Sequence, residues 1–258
     1  MSYERKRVLL TVKAYPEKSK KYGACVCTAG ITDKGEFIRL YPIPFEKFRG
    51  GKKIPKYSWI TVECEKASEY LMRKESYKVR YETITIEKRL STVKDRSWTE
   101  RNRVILPLLS NSLEELEEKA TIDNTSLGII KPRVITDFTV DKREDMSDDE
   151  AEIVQEVQMT LDGEIRTDLE VIPYNFRYHF FCSDNNCRGH NIMCEDWEML
   201  EAWRQWKKKY SDTSVLLMKL REKFFDYMIK RDLYFFVGTH SRFNTWLIIG
   251  LYYPPRIN

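Results

Sequence analysis

Long hydrophobic runs are what this sequence most clearly lacks. None of its 258 residues lies in an apolar stretch approaching the roughly 20 residues that a membrane-spanning helix needs. We therefore expect no membrane partner. The opening segment, MSYERKRVLL, carries charge but has neither the apolar core nor the cleavage site of a secretory signal. A cytoplasmic location is the expectation.

Cysteine is scarce too, and neither sign of charge dominates. Six cysteines in a chain of this length are too few for a disulfide scaffold, so reduced thiols are the simpler expectation. The net charge of +4 permits nucleic acid or another anionic ligand as a partner without requiring one. With 42% hydrophobic and 33% charged residues, the composition is typical of a folded soluble domain.

The cysteines that are present are concentrated in one place. Three of them and one of the three histidines lie between Cys182 and Cys194, in the order C-x4-C-x2-H-x3-C. Thiolate and imidazole are ligands that zinc prefers, and four of them can close a tetrahedral structural site. The predicted zinc ligands are Cys182, Cys187, His190 and Cys194. The spacing is not that of the common zinc fingers, so burial of these cysteines as small core residues remains an alternative.

Short strand patterns dominate the first 90 residues. They occupy approximately residues 6–13, 24–31, 36–41, 58–64 and 77–86, with no clear helix between most of them. Such a series predicts a small β-barrel over residues 1–95.

Helical patterns follow, and then strands return. Residues 96–125 form a predicted helical connector, in which Ser112 and Glu115 have the spacing of a capping box. We expect the acidic residues of that helix to form a solvated face. The C-terminal part, residues 126–258, combines strand patterns with two amphipathic helices near residues 196–209 and 216–230.

Four segments resemble an uncharacterised prokaryotic family. They are ACVCTAGITDKGEFIRLYPIPF, IPYNFRYHF, EDWEMLEAW and RDLYFFVGTHSRFNTWLIIGLYYPP, and they spread over nearly the whole chain. The resemblance implies an α+β, predominantly β fold with two small OB-like barrels, helices in the linker and C-terminal part, and a place in mobile or defence-type loci. Some relatives have a polar turn in place of Cys182, Cys187 and His190, which favours a structural clip over a catalytic centre.

Binding of nucleic acid or a nucleotide-like ligand is the first functional hypothesis. OB-type barrels present aromatic side chains for base stacking and basic side chains for phosphates. The loop from Gly238 to Arg242 could hold an anion through its backbone amides and the guanidinium, but we favour an ordinary hairpin turn. The candidate contact residues are Lys13, Tyr15, Lys20, Lys21, Arg39, Tyr41 and Arg242.

Two alternatives remain open. A metal-assisted hydrolase or nuclease would use Asp196 and Glu198, with His240 as a further candidate. The chain has no nucleophile elbow, phosphate-binding glycine loop or HExxH motif. Capping of a helix N-terminus, or a favourable interaction with the helix dipole, also explains the two acids. A scaffold for an operon-encoded protein would use the tryptophan-rich helix and the acidic loop over residues 141–150.

Overall fold

The structure is a computed structural model. It describes residues 3–14, 17–19, 23–48, 53–67, 73–92, 98–143, 172–240 and 245–256.

The N-terminal part forms one closed barrel, as predicted. Five strands close through the pairings β1–β5–β6–β4–β3–β1, and the short β2 extends the sheet beyond β3. All pairs are antiparallel except β4 with β6. The strands are β1 (Glu4–Lys13), β2 (Glu17–Ser19), β3 (Gly23–Thr32), β4 (Phe37–Pro44), β5 (Ser58–Lys66) and β6 (Ser76–Arg89).

Alternation along each strand fills the barrel. Val8 and Leu10 of β1, Ile38 and Leu40 of β4 and Ile60 of β5 are fully or almost fully buried in one cluster. Because side chains of a strand alternate between its two faces, residues such as Leu9 must then point outward from the barrel.

Beyond the barrel, the described residues form two open sheets and four helices. One sheet has the order β11–β10–β9 and the other β13–β12–β8–β7. The strands are β7 (Leu109–Ser110), β8 (Leu127–Ile130), β9 (Val134–Lys142), β10 (Tyr174–Phe181), β11 (His190–Met193), β12 (Tyr234–Thr239) and β13 (Trp246–Tyr252). The helices are α1 (Thr99–Ile105), α2 (Leu113–Asp123), α3 (Trp197–Trp206) and α4 (Thr213–Arg221), the last continuing through the turns Glu222–Asp226 and Met228–Lys230.

A second barrel is not shown. Within the described residues, neither C-terminal sheet has a pairing that joins its two edges. Helices α3 and α4 and their aromatic neighbours pack against these sheets instead, in the same apolar cluster as β10. In place of the expected pair of barrels, the described residues show one barrel and an α+β unit with two open sheets.

The β8–β12–β13 sheet is buried on both faces. Phe236 and Ile249 point towards the barrel and contact its outer face at Leu9 and Ile31. Phe235 and Ile248 point the other way, into a core shared with β10, α3 and α4. Burial on both faces explains why the sequence of β13, WLIIGLY, is almost continuously apolar.

Helix α2 lies directly on β8. Its first turn is capped by Ser112, whose hydroxyl accepts a hydrogen bond from the N–H of Glu115 at 3.1 Å. The Glu115 carboxylate accepts from the N–H of Asn111 at 2.8 Å, one residue before the position that a capping box uses. A Cβ at Gly128 would lie 2.4 Å from Cδ1 of Leu116, so the helix approaches the strand as closely as glycine allows.

No helix within the described ranges combines the length and the apolar character needed to cross a membrane.

The shared core between barrel and sheet predicts that the two parts unfold together. We expect Phe236→Ala to lower the free energy of unfolding by about 3–5 kcal/mol, because it opens a cavity at a fully buried position. Amide hydrogen exchange measured by peptide should show lost protection in β1 and β3 as well as in β12. Ile122→Ala, at a 75% exposed apolar residue, is the control and should change stability by less than about 0.5 kcal/mol. Unchanged protection in the barrel strands would contradict the shared core.

Candidate metal centre and basic cleft

Three of the four predicted metal ligands come together. Cys182 directly follows β10, Cys187 lies in the turn after it and His190 begins β11. The fourth member is Glu114, from the first turn of α2, and the four potential ligand atoms all lie within 4.8 Å of one another. The Cys187 Sγ is 3.3 Å from His190 Nε2, which is 3.1 Å from Glu114 Oε1. This group, the metal centre below, could hold a metal ion.

The local sequence explains how the turn forms. The Asp184 carboxylate accepts a hydrogen bond from the N–H of Asn186 at 2.7 Å, and the Asp184 carbonyl accepts from the N–H of Cys187 at 3.2 Å. Gly189 has φ +89°, a conformation that residues with a Cβ rarely adopt. The reversal brings the Sγ of Cys187 to within 3.2 Å of the N–H of Cys182.

The electrostatics of the metal centre suit a cation. Burial raises the pKa of the Cys182 thiol to about 12, so its thiolate needs a positive charge beside it. Burial also opposes ionisation of Glu114, but hydrogen bonds and the nearby His190 outweigh it and lower the pKa of that carboxyl group. Oxygen Oε2 of Glu114 is buried and has no hydrogen-bond partner in the described structure. A bound cation would satisfy this oxygen.

Cys194 does not belong to the metal centre, which corrects the predicted ligand set. It follows β11, four residues beyond His190, and four residues of extended chain span about 13 Å. Its N–H donates to the Phe176 carbonyl at 2.7 Å, and its side chain lies in the main C-terminal core. Glu114 takes its place. We had expected the acids of that helix to be solvated, and no sequence signal connects Glu114 to the distant cysteines.

Asp196 joins several elements at a buried point. Its Oδ1 accepts hydrogen bonds from the N–H groups of Glu198 and Met199, at 2.8 and 3.3 Å, and so caps α3. Its Oδ2 accepts from the N–H of Leu251 at 3.0 Å and pairs with the Lys56 Nζ at 3.2 Å. The capping role considered from the sequence is therefore present, and both carboxylate oxygens have partners within the protein.

Burial and attraction between the partners act in opposite directions on the Asp196–Lys56 pair. Burial raises the pKa of Asp196 because it outweighs attraction by Lys56. Burial also acts to lower the pKa of Lys56, but the carboxylates of Asp196 and Glu198 outweigh it and raise that pKa well above 10.5. Glu198 itself is 43% exposed, with Oε1 3.8 Å from the Lys56 ammonium.

Two of the predicted ligand contacts, Lys13 and Arg39, are buried. The Lys13 ammonium donates to the Ile54 carbonyl at 2.6 Å and lies 4.6 Å from the centre of the Phe48 ring. Arg39 donates to the Ser126 carbonyl at 3.1 Å and so links the barrel to the segment before β8. Both side chains thus make contacts within the protein.

The other predicted residues lie elsewhere. Tyr41 is partly exposed on β4, and His240 follows β12, where its N–H donates to the Thr245 carbonyl at 2.9 Å. Tyr15, Lys20, Lys21 and Arg242 are outside the described residues, as is most of the predicted acidic loop.

A cleft of about 670 Å³ lies between the barrel and the connector. One wall is formed by the ends of β1, β3, β4, β5 and β6, and the other by residues 107–110, α2 and the start of β8. We call it the basic cleft, because four lysines line it. The lysines are Lys6, Lys66, Lys74 and Lys119, and three acidic residues line the cleft beside them: Glu36, Glu75 and Asp123.

Two lysines of the basic cleft lie beside one aromatic ring. The ammonium groups of Lys6 and Lys66 lie 4.9 and 4.7 Å from the centre of the Tyr77 ring. Burial lowers the pKa of Lys66, and the charge of Lys6 contributes to the shift. Lys74 pairs with Asp123 of α2 across the cleft. Sequence reasoning missed these residues because single exposed lysines are common, and only the fold brings them together.

Two families of protein domains match different parts of the chain. Residues 109–258, more than half of it, match the family described as Domain of unknown function (DUF8757). The chain belongs to the DUF8757 family. Residues 4–107 match the description Domain of unknown function (DUF8758). No curated protein matches the chain.

The two sites differ in how they lie relative to the matched ranges. The metal centre lies wholly within the DUF8757 range. The basic cleft is lined by Lys6, Lys66 and Tyr77 from the DUF8758 range and by Leu116 and Lys119 from the DUF8757 range. The cleft therefore lies between the two family domains, and neither domain forms it alone.

The environment of Lys13 predicts a pH effect on stability. Burial, together with Lys56, lowers the pKa of Lys13 from 10.5 to about 8. Between these pH values the unfolded chain holds a proton that the folded chain has lost, so the free energy of unfolding should rise with pH. Lys13→Met lacks this group. We expect the stability of the wild type relative to Lys13→Met to increase by about 3 kcal/mol from pH 7 to 11.

Urea unfolding of both proteins across this pH range measures the effect. Loss of the hydrogen bond to Ile54 shifts the variant's curve by an amount that does not depend on pH, and other titrating groups cancel in the difference. Two parallel curves would show that Lys13 keeps its ordinary pKa.

Proposed function

We propose that the protein binds a nucleotide phosphate, either free or within a single-stranded nucleic acid, in the basic cleft. The observation that carries the proposal is a cleft between two domains that four lysines line, two of them beside the ring of Tyr77. Its volume is within the usual range of about 300–1,000 Å³ for ligand sites, which often lie at domain interfaces.

The topology of the barrel supports this class of ligand. Strand β5 returns to lie beside β1, which pairs with β3, which pairs with β4; this order is a Greek key. A five-stranded Greek-key barrel is the architecture of OB-folds, which bind oligonucleotides and oligosaccharides. We propose an OB-like relationship on this basis. With the resemblance to proteins of prokaryotic defence-type loci, it favours a role in genome defence.

The position of the cleft differs from the predicted patch around Lys13 and Arg39. The outer face of β1 and β3 packs against the C-terminal sheet, and those two basic side chains bond to Ile54 and Ser126. A ligand would have to displace a core to reach that face. The cleft lies beside this face, at the turn between β3 and β4 and the segment between β5 and β6, and requires no such displacement.

The cleft lysines can accept a phosphate at little cost. Lys6 pairs with Glu4 and Lys119 with Glu115 at the surface, and exposed ion pairs contribute only about 0–1 kcal/mol. Lys66 donates to the carbonyl of Lys74. Burial lowers its pKa, so a phosphate beside it would stabilise its charged form.

Binding should depend on Lys66 and on salt. The probes are a fluorescein-labelled 12-nucleotide single strand, followed by anisotropy, and ATP, followed by calorimetry. We expect Lys66→Met to weaken binding about tenfold, and binding of the strand by the wild type to weaken about tenfold between 50 and 200 mM salt, because phosphate contacts release counterions. Lys78→Met is the control. Lys78 neighbours Tyr77 on β6, is exposed and is not part of the cleft, so we expect less than about a twofold change.

The two probes separate the sources of the phosphate. Tighter binding of the strand favours nucleic acid as the ligand, and tighter binding of ATP favours a free nucleotide. Absence of binding to both at 50 mM salt, or equal losses in Lys66→Met and Lys78→Met, would contradict the proposed site.

We propose zinc as the ion of the metal centre, with a structural role. Two thiolates, an imidazole and a carboxylate form a donor set that zinc accepts, and four protein ligands leave no open position for a substrate. Tetrahedral zinc separates such donor atoms by about 3.4–3.8 Å. The Sγ–Nε2 and Nε2–Oε1 distances of 3.3 and 3.1 Å require only small shifts.

Zinc content distinguishes the ligand set from the set predicted by sequence. We expect about one zinc per chain in the wild type, and loss of most of it in Cys187→Ala, since one thiolate ligand is removed. Cys194→Ala is the matched control and should keep its zinc, because Cys194 is not among the four residues whose ligand atoms lie within 4.8 Å of one another. Elemental analysis of the purified, folded proteins tests this. Equal loss of zinc from both variants would restore Cys194 as a ligand.

A further inference from the structure

We infer that the metal ion of the metal centre regulates ligand binding in the basic cleft, with helix α2 as the connection. The inference rests on the proposed function, because it concerns the same cleft. Its basis is that one short helix contributes both a ligand to the metal centre and a wall to the cleft.

The N-terminal end of α2 is attached to the metal centre at two consecutive residues. The Leu113 N–H donates to the Sγ of Cys182 at 3.4 Å, and Glu114 Oε1 lies 3.1 Å from His190 Nε2. The second carboxylate oxygen of Glu114 is buried without a hydrogen-bond partner in the described structure. A bound ion would hold this carboxylate, and with it the first turn of the helix.

The remainder of α2 faces the cleft. Leu116, Lys119 and Asp123 line it, and Asp123 pairs with Lys74 on the opposite wall. Just after the helix, the Asn124 carbonyl accepts from the N–H of Lys74 at 3.3 Å. The C-terminal end of α2 is therefore bound to the barrel, while its N-terminal end is bound to the metal centre.

Helix α2 has 11 residues and is about 16 Å long. A helix of this length is marginal by itself, so its position depends on its contacts. Leu116 already packs on β8 at the closest distance that Gly128 permits, so the helix cannot move towards the sheet. Loss of the ion would release the first turn of α2, which would then move away from the barrel. The distance between Lys119 and Lys66 across the cleft would increase.

The metal ion and the cleft ligand would both favour the same placement of α2. Each should therefore strengthen the binding of the other by the same factor. Coupling of this kind is reciprocal and is commonly about 5- to 150-fold in affinity. We expect the labelled strand or ATP, whichever binds the wild type more tightly, to bind the zinc-loaded protein at least about fivefold more tightly than the chelated protein. Circular dichroism establishes that the chelated protein is folded.

The reciprocal measurement uses only the zinc-loaded protein. Zinc transfer to a competing chelator is followed with and without saturating ligand, and the apparent zinc affinity should rise by the same factor. This second measurement decides whether the metal ion and the ligand are coupled, even if the chelated protein unfolds. Zinc affinity unchanged by a ligand that does bind would overturn the regulation and leave the binding function intact. Absence of ligand binding to the zinc-loaded protein would instead remove the proposed function, and the regulation with it.

Discussion

Burial of one sheet on both faces determines how the rest of this protein is arranged. Strands β12 and β13 direct alternate large side chains into the barrel boundary and into the C-terminal core. Neither domain can then be removed without exposing an apolar surface, and burial of such surface is the main favourable contribution to folding. The outer face of β1 and β3 would be exposed to solvent in an isolated barrel. In this protein it becomes part of the interior.

This constraint decides the roles of the polar residues near the boundary. Buried charges are tolerated only when they are paired or hydrogen-bonded. Asp196 is satisfied by Lys56, by the first turn of α3 and by β13. The Arg39 guanidinium donates to Ser126, while its Nε has no hydrogen-bond partner in the described structure. Residues that look like catalytic or ligand-binding candidates in the sequence thus hold elements together. The charged side chains of the basic cleft, in contrast, remain accessible between the domains.

Much of the local structure could be predicted, because it depends on neighbouring residues. Alternating side chains identify the barrel strands, the Ser112 cap identifies the start of α2, and the apolar run of β13 is a strand from Trp246 to Tyr252. The turn between Cys182 and His190 also follows from local residues. These features rest on periodicity and on short-range hydrogen bonds, which a sequence records directly.

What could not be predicted depends on contacts between distant segments. Glu114 joins the cysteines only because α2 lies on β8, and Lys6, Lys66 and Lys119 meet only because the connector closes over the end of the barrel. The expected second barrel is not shown, since strand patterns alone do not determine how sheets pair. Cys194 is near the other cysteines in sequence, yet extended chain carries it into the core.

The central claim is that function lies in the cleft between the domains and not on the face of the barrel. Hydrogen–deuterium exchange of the zinc-loaded protein, with and without the single-stranded oligonucleotide, tests it most directly. We expect the oligonucleotide to slow exchange in peptides that cover residues 73–77 and 113–125, on the two walls of the cleft. Slower exchange confined to residues outside both walls, such as those around Lys13 and the loop before β13, would contradict it.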